Sequence, residues 1–343
     1  MTNDQSAGPI IVVGIWRSGT SLLYTLLNQH PQIALMYEGD LFLLRSLFRS
    51  ARSKPDRLER WEFWNNALSR HNIDTGKLSA CAADYPAAAT EVWKQYAKGA
   101  LYGDKSPNYF DSLQPLAREF PNARFIVIWR DLADTCRSLV RAAEGSAFFA
   151  KRGMSHRALV GYRKLKCECD ALVRNGVRLH QIHYEEMVQS PETVMRGICA
   201  FLQIPFDPRM ASLEGADRSA IYEAPQHAGV KSEKIRLNGK PTSALSPELS
   251  GKIARYVAYW KKESAGSWPR YPQNAGDAKP AGLLERAADE AYFRALRALD
   301  RFTAFVYCHA PIAVLRRYRG AKTQPRAVTT PESTVLSEAP NRN

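Results

Sequence analysis

The chain has 343 residues, of which 45% are hydrophobic, and a formal net charge of +14 at pH 7. This hydrophobic share is enough for a packed core and excludes disorder as the default, and the length fits one large domain, alone or with an appendage. The basic excess favours anionic partners such as nucleotides, nucleic acids, acidic glycans or a membrane surface, but does not choose among them.

The cysteines are scattered, and no two form a CxxC pair, so a zinc site is not expected. Their distribution favours a reducing compartment over a disulfide framework. The N-terminal sequence lacks the pattern of a signal peptide, and no apolar run reaches the roughly 18 to 20 residues of a transmembrane helix. We therefore expect a soluble, cytoplasmic protein, with attachment to a membrane surface left open. The cysteines are Cys81, Cys136, Cys167, Cys169, Cys199 and Cys308.

Short β-rich runs alternate with helical patterns over the first 200 residues of the chain. This alternation predicts an α/β fold with a central parallel sheet flanked by helices, and the apolar runs predict buried strands. The predicted strands are 10–14, 124–129 and 178–184, with 101–103 as a candidate fourth. The predicted helices are 18–29, 56–71, 87–98, 113–120, 134–143, 155–174 and 192–202.

The remaining third of the chain is less regular. Residues 205–246 are predicted as loop, 247–263 as a helix, and 265–281 as a linker rich in Gly, Pro, Ser and Asn. Residues 282–320 are predicted as a helical appendage kinked at Pro311. Packing on the main domain, 9–264, is its first interpretation, while self-association and peripheral membrane contact stay open. Residues 1–8 are predicted flexible and 321–343 disordered.

A strand, a loop and a helix follow each other near the N-terminus. Gly14 and Gly19 have the spacing of the G-x-x-x-x-G-K-[ST] phosphate loop, but Thr20 stands where that motif has lysine. Such a turn aims backbone N–H groups and the positive helix end at an anion, and an arginine adds bidentate contacts. A turn that only caps the helix is the alternative. The expected anion-binding residues are Arg17, Ser18, Gly19, Thr20 and Ser21.

The missing lysine argues against a nucleoside triphosphate, whose phosphates need that lysine and magnesium. The stretch from Arg17 to Leu23 resembles the 5′-phosphosulfate loop of the sulfotransferases that use 3′-phosphoadenosine 5′-phosphosulfate (PAPS). Its Arg-Ser-Gly-Thr start resembles the tyrosylprotein and carbohydrate branches more than the cytosolic branch. The resemblance implies a P-loop-like three-layer fold, and a metal-independent, in-line transfer of a sulfuryl group from PAPS to an acceptor hydroxyl.

A second strand–turn–helix segment carries Arg130 at the end of its strand and Ser138 eight residues later. In the PAPS-dependent family, an arginine and a serine at this spacing bind the 3′-phosphate of the donor, so the resemblance implies that role for this pair. A surface salt bridge from Arg130 to Asp131 or Asp134 is the structural alternative. Arg141 is a further candidate whose register in the family pattern is not fixed.

Lys105 stands directly before a Ser-Pro pair. In the family, a lysine here lies near the oxygen that bridges phosphate and sulfate, where it would stabilise negative charge on the leaving group. A solvated loop lysine is the alternative. Cytosolic members tend to carry a histidine base shortly after this lysine, whereas this chain has Ser106-Pro107-Asn108, so the base is expected elsewhere.

Glu38 lies 21 residues after Arg17 and follows a His-Pro pair. In the tyrosylprotein branch a glutamate at this spacing is the base, and a carboxylate can take a proton if desolvation raises its pKa. Asp40 is the second candidate. An ion pair of Glu38 with Arg17 or Lys105 is the structural alternative. The histidines considered as bases are His180, His183 and His227.

Two segments further along are assigned to the donor by resemblance alone. The residues from His183 resemble the family's Tyr-Glu-Asp-Leu segment, which makes Tyr184 a candidate donor contact. A basic loop at 230–241 fits a cover over the adenine and 3′-phosphate, with Lys240 as its first candidate. The resemblance extends over about residues 9–263 and not over the C-terminal segment. The other basic candidates of the loop are Lys231, Lys234 and Arg236.

Two other classes of function compete with this prediction. A P-loop kinase is disfavoured by the missing lysine and by the Arg130–Ser138 pair. A nucleic-acid-binding module is disfavoured because the sequence shows no zinc-finger, helix-turn-helix or aromatic-platform pattern. The expected acceptor is a hydroxyl-bearing glycan, lipid, small molecule or peptide. The region 40–98 is predicted to shape its pocket, although its aromatic residues suit a core equally well. They are Trp61, Phe63, Trp64, Tyr85, Trp93 and Tyr96.

Overall fold

Five strands form one parallel sheet at the centre of the protein, in the order β2-β3-β1-β4-β5. The computed structural model describes residues 8–45, 54–65, 67–74, 85–150, 153–221, 235, 245–263 and 278–320. The strands are β1 (Ile10–Val13), β2 (Ile33–Tyr37), β3 (Leu101–Lys105), β4 (Arg124–Trp129) and β5 (Leu179–His183). The parallel α/β sheet predicted from the alternating pattern is confirmed.

Helices cover both faces of this sheet. Successive residues of β1 point to opposite faces, so Ile11 and Val13 join one apolar cluster and Ile10 and Val12 the other. The helices are α1 (Thr20–Leu27), α2 (Lys54–Asn65), α3 (Ala67–Arg70), α4 (Tyr85–Ala97), α5 (Leu113–Glu119), α6 (Leu132–Gly145), α7 (Ala147–Ala150), α8 (Met154–Arg174), α9 (Tyr184–Gln189), α10 (Pro191–Leu202), α11 (Pro247–Glu263), α12 (Leu283–His309) and α13 (Ile312–Gly320).

Strand β2 is the element that the sequence pattern does not predict. Its sequence, Ile-Ala-Leu-Met-Tyr, contains good helix formers and has no alternation, and it becomes a strand by pairing along its whole length with β3. That pairing also extends β3 to Lys105, beyond the predicted end at Gly103. Other predicted bounds shift by a few residues. The predicted helix 56–71 is two helices, α2 and α3, and the strand predicted to reach Tyr184 ends at His183.

The chain divides into two compact units, the first ending at Cys308 and the second beginning at His309. In the first unit, α12 packs on the main body through partly buried ion pairs, including Arg297 to Asp111 at 2.6 Å and Arg157 to Asp300 at 2.7 Å. Packing on the main domain is the interpretation that ranked first for this segment. Membrane contact and self-association stay predictions. Among the described residues, no helix combines the length and apolar character needed to span a membrane.

The second unit contains α13, which starts directly after Pro311. Helix α12 ends at His309, so the predicted break at this proline is confirmed. The predicted boundaries of the main domain, linker and appendage stay predictions, as does the disorder of the tail, because 264–277 and 321–343 lie outside the described residues.

Candidate active site

The loop between β1 and α1 lies at the carboxyl edge of the sheet. Arg17 adopts a left-handed backbone with φ 71°, and the Ser18 N–H donates to the Ile15 carbonyl at 3.0 Å, which closes the turn. Gly19, with φ 99°, precedes the first residue of α1. The loop therefore delivers the chain into a helix N-terminus next to two backbone positions that few side chains would tolerate.

Gly19 is required for a second reason, which is the close approach of Tyr184 from the start of α9. A Cβ at Gly19 would lie 2.4 Å from Cδ2 of the Tyr184 ring. The face of the same ring carries the Arg130 guanidinium, whose Cζ is 4.4 Å from the ring centroid. The predicted donor contact Tyr184 thus joins the phosphate loop to the second predicted anion site.

Arg17 and Arg130 link the two strand–turn–helix segments directly. The Arg17 Nε donates to Ser138 Oγ on α6 at 3.1 Å, and Arg130 Nη1 donates to the Arg17 carbonyl at 2.9 Å. Arg130 is only 7% exposed. The alternative of a surface ion pair does not hold, because Asp134 pairs with Arg137 at 2.6 Å and the Asp131 carboxylate caps α6 by accepting from the Asp134 N–H at 2.8 Å.

Positive charge is concentrated at this junction. Burial and the neighbouring Arg130 lower the pKa of Arg17 to about 10, and Arg141, exposed on α6, adds to the effect. An arginine whose pKa falls below its usual value gains more than an isolated one from a nearby anion, because the anion relieves the repulsion between the cations. The electrostatics therefore favour an anionic ligand between α1 and α6.

Lys105 and Glu38 form a second group, at the carboxyl ends of β3 and β2. Lys105 Nζ donates to Glu38 Oε1 at 2.7 Å, and the Glu38 N–H donates to the Lys105 carbonyl at 2.8 Å. Lys105 is fully buried, so the alternative of a solvated loop lysine does not hold. Of the two structural partners weighed for Glu38, the structure provides Lys105.

Asp40, the second candidate base, has its carboxylate engaged by its own neighbours. Ser106 Oγ donates to one oxygen and Asn108 Nδ2 to the other, at 3.0 Å. Burial and repulsion from Glu38 and Asp104 raise the pKa of Asp40 to about 7 despite these hydrogen bonds. Since both carboxylate oxygens accept hydrogen bonds from the turn that follows Lys105, Asp40 is better placed to stabilise that turn than to take a proton from an acceptor hydroxyl.

The comparisons with known proteins agree with this geometry. A family model described as "Sulfotransferase family" matches residues 9–208, which is more than half of the chain. The chain belongs to the sulfotransferase family. The match includes both anion-binding segments, the Lys105 strand and Tyr184, so the resemblance noted from the loop sequence is confirmed.

Curated relatives of this sulfotransferase-family chain come from the tyrosylprotein branch. Protein-tyrosine sulfotransferase 1 of Danio rerio is 25% identical over 202 residues, covering 58% of this chain and 54% of the relative. Protein-tyrosine sulfotransferase A of Caenorhabditis elegans is 26% identical over 214 residues, covering 59% and 51%. The chain thus spans about half the length of the curated relatives it matches.

Two solved sulfotransferase domains share the fold. The domain from the curacin biosynthetic pathway has a TM-score of 0.51 at 20% identity, covering 74% of this chain and 98% of that domain. The domain from the Synechococcus PCC 7002 olefin synthase has a TM-score of 0.53 at 19% identity, covering 75% and 98%. At these identities the similarity shows the fold and no more.

Sequence reasoning missed three residues that hold the candidate site together, namely Arg70, Asp104 and Tyr37. Arg70 Nη2 donates to the carbonyls of Tyr37 and Glu38, at 2.7 and 3.1 Å. Asp104 is fully buried and accepts from the Gly39 N–H at 3.1 Å and the Tyr109 hydroxyl at 2.7 Å. Two of them left a signal in the sequence. Asp104 is a charged residue inside a strand, directly before Lys105, and Tyr37 is an aromatic residue directly before Glu38.

Several other candidates lie away from these two groups or outside the described residues. The His180 ring stacks on Phe201 with centroids 5.3 Å apart, which fits a structural role. His183 ends β5, directly before Tyr184. Trp61, Tyr85 and Trp93 are buried in the core cluster, which supports the core interpretation of the aromatic residues in 40–98. The candidates outside the described residues are His227, Lys231, Lys234, Arg236 and Lys240, and the side chains of Phe63 and Trp64.

Proposed function

We propose that this protein transfers a sulfuryl group from PAPS to a hydroxyl group of an acceptor. The observation that carries the proposal is the direct contact between the two anion-binding segments, with Arg17 Nε 3.1 Å from Ser138 Oγ and the Arg17 carbonyl held by Arg130. A nucleotide with an anionic group at each end of its ribose, such as PAPS, needs donors on both segments. A simple phosphate needs only one of them.

Unpaired polar atoms at the junction support an anionic ligand. In the described part of the chain, Ser18 Oγ and Arg130 Nε are buried and have no hydrogen-bond partner. A buried donor without an acceptor costs free energy, which a ligand oxygen nearby would recover. Arg17, Ser18 and the start of α1 would hold the 5′ end, and Arg130 and Ser138 the 3′-phosphate.

Bound PAPS supplies the sulfuryl group and a nucleotide leaving group. The chain contributes a buried ammonium, since Lys105 has three N–H donors and gives one of them to Glu38. A second interacts with the Tyr37 phenol, and the third can stabilise negative charge that develops on a leaving oxygen. Lys105 can therefore stabilise the leaving group of the donor while it keeps its hydrogen bond to Glu38.

Glu38 is the base of the proposed reaction. Its side chain is 24% exposed while that of its partner Lys105 is 0% exposed, so the carboxylate is the member of the pair that an acceptor can reach. A carboxylate held by a cation at 2.7 Å has a fixed direction, which favours proton removal from a hydroxyl placed in line with the transferring group. We propose that this step proceeds without a metal ion.

The proposed acceptor is a hydroxyl-bearing molecule. The relatives are named protein-tyrosine sulfotransferases, which places a phenolic hydroxyl of a peptide first among the acceptors to test. Glycans, lipids and small phenols complete the panel, because each presents a hydroxyl.

The test is an acceptor screen with ³⁵S-labelled PAPS across these four classes. Wild-type protein is expected to transfer label to at least one class, and Glu38→Ala to transfer at least about 100-fold less of it. Full turnover by Glu38→Ala would refute the assignment of the base. Binding of ATP with magnesium, and no affinity for 3′,5′-ADP, would instead refute the proposed donor.

A further inference from the structure

Tyr37 touches both groups of the proposed site. It is the last residue of β2, directly before Glu38, and it is fully buried. Its hydroxyl lies 2.8 Å from Ser21 Oγ in the first turn of α1. Its ring lies under Lys105, with Nζ 3.4 Å from the ring centroid.

The ring is held in place independently of these two contacts. Tyr24 of α1 packs edge-on against it with centroids 5.0 Å apart, and Arg70 binds the Tyr37 carbonyl at 2.7 Å. Burial raises the pKa of the phenol, so Tyr37 stays neutral and keeps its proton. A neutral ring that cannot move away is a stable surface on which to place a cation.

Lys105 needs such a surface because it is completely buried. Burial by itself lowers the pKa of its ammonium, but the Glu38 carboxylate and the Tyr37 phenol outweigh that effect and raise the pKa. The groups that face the ammonium are Glu38, Tyr37 and the neighbouring carboxylate of Asp104. Of these, Tyr37 also reaches the first turn of α1, through Ser21.

We propose that Tyr37 is a positioning residue that sets Lys105 relative to the phosphate loop, with its ring carrying the ammonium and its hydroxyl fixing Ser21. The inference rests on the proposed function of the site. Without the ring, the ammonium would be drawn towards Glu38 alone, away from a leaving oxygen bound at the loop. Without the hydroxyl, Ser21 would lose a partner and Lys105 would lose a hydrogen bond, but the ring would still carry the ammonium.

Two substitutions separate the two contacts. Tyr37→Phe keeps the ring and removes the hydroxyl's hydrogen bonds with Ser21 and Lys105, so we expect the KM for PAPS to rise a few-fold while kcat stays within about threefold. Tyr37→Leu removes the ring as well, so we expect kcat to fall at least about tenfold. In Tyr37→Leu the high-pH limb of the kcat profile should also move to lower pH, because the ring favours the charged lysine.

The experiment measures kcat and KM for PAPS across pH, together with calorimetric binding of 3′,5′-ADP, for the full chain. Tyr256→Leu is the matched control, since Tyr256 is a buried phenol whose hydroxyl binds Asp289 on α12. It is expected to lower stability as Tyr37→Leu does, with an unchanged pH profile. Binding of 3′,5′-ADP by Tyr37→Leu, within a few-fold of wild type, shows that the variant is folded.

Three outcomes decide the role of Tyr37, and a fourth concerns the proposed function. A tenfold loss of kcat and a shifted pH limb in Tyr37→Leu, with both restored in Tyr37→Phe, support the proposal. Wild-type kcat and pH profile in Tyr37→Leu would mean that Tyr37 only fills space, and would overturn it. Equal losses in both variants would assign the effect to the hydroxyl and overturn the role of the ring. Failure of the wild type to use PAPS would count against the proposed function instead.

Discussion

The two halves of the candidate site handle charge in opposite ways. On the β1–β4 side, Arg17 and Arg130 lie together. Burial is the larger cause that lowers the pKa of Arg17, and the charge of Arg130 is the second. On the β2–β3 side, Lys105 is matched by Glu38 at 2.7 Å, and burial together with repulsion from Glu38 raises the pKa of Asp40. The first half carries an excess of positive charge, whereas the second is balanced internally.

The difference indicates a division of labour. A cluster of cations gains free energy when an anion binds, so the β1–β4 side is suited to hold a donor. A balanced and rigidly hydrogen-bonded group gains little from a ligand but keeps its geometry without one, which is what proton transfer and charge stabilisation require. Substitutions on the β2–β3 side should therefore lower turnover and leave binding intact, whereas substitutions on the β1–β4 side should weaken donor binding and lower transfer with it.

The largest effect is expected from Glu38→Gln. Glutamine keeps the size of the side chain and an oxygen for Lys105 but takes up no proton, so transfer should fall about 10²- to 10⁴-fold while 3′,5′-ADP binds within a few-fold of wild type. Steady-state rates and calorimetry measure the two quantities. Glu290→Gln, which removes a carboxylate paired with Lys164 at 2.8 Å, is the control and should change neither. Loss of nucleotide binding in Glu38→Gln would break the division between the two sides.

Arg17→Ala should have the next largest effect, and on both quantities. Removing the guanidinium deletes the link to Ser138 and the charge at the loop, so donor affinity and transfer should each fall about 100-fold. Arg17→Lys should restore little, because an ammonium lacks the planar fork. Arg137→Ala, on the same helix as Ser138 but paired with Asp134, should bind 3′,5′-ADP as wild type does. Unchanged affinity in Arg17→Ala would contradict the role of the cation cluster.

Gly19→Ala and Gly99→Ala compare a glycine inside the site with one outside it. Both have positive φ, 99° and 95°, but an added Cβ would meet Tyr184 at 2.4 Å in the first and nothing within 4 Å in the second. Each should lose about 1 kcal/mol of unfolding free energy from backbone strain, and Gly19→Ala about 1–3 kcal/mol more from the clash. Urea unfolding measures this, and nucleotide affinity should fall only in Gly19→Ala. Equal losses of stability would show that Tyr184 moves aside freely.

The smallest effect concerns pH and Asp40. Because the pKa of Asp40 is about 7 in the fold and near 3.8 when unfolded, the folded state holds a proton that the unfolded state has lost between those values. The contribution of Asp40 to stability therefore decreases as the pH rises through this window. Asp40→Asn should gain on the order of 1–3 kcal/mol relative to wild type between pH 5 and pH 8, measured by urea unfolding. Parallel curves for the two proteins would contradict the shift.

The two sides also differ in how far the sequence predicts them. Arg17, Arg130 and Ser138 belong to two local strand–turn–helix segments. The loop motif points to Arg17, and resemblance to the family identifies Arg130 and Ser138 at their spacing. Their contact in space follows from β1 and β4 being neighbours, which is common for motifs of this kind in a parallel sheet.

The β2–β3 side depends on pairing between distant segments. Glu38 and Lys105 were identified by resemblance, but their ion pair requires β2, whose strand character comes from its pairing with β3 and not from its own residues. Tyr37 and Arg70 matter only once that strand is placed. Arg70 acts on a segment 33 residues away, and no local sequence pattern marks such a residue.

The central claim is that the two anion-binding segments hold one 3′-phosphorylated nucleotide. Calorimetric titration with 3′,5′-ADP and with ADP, which lacks the 3′-phosphate, tests it most directly in wild type and Arg130→Ala. The account predicts that wild type binds 3′,5′-ADP about 100-fold more tightly than ADP, and that Arg130→Ala loses most of this preference. Equal affinity of the wild type for the two nucleotides, or a preference that survives in Arg130→Ala, would contradict it.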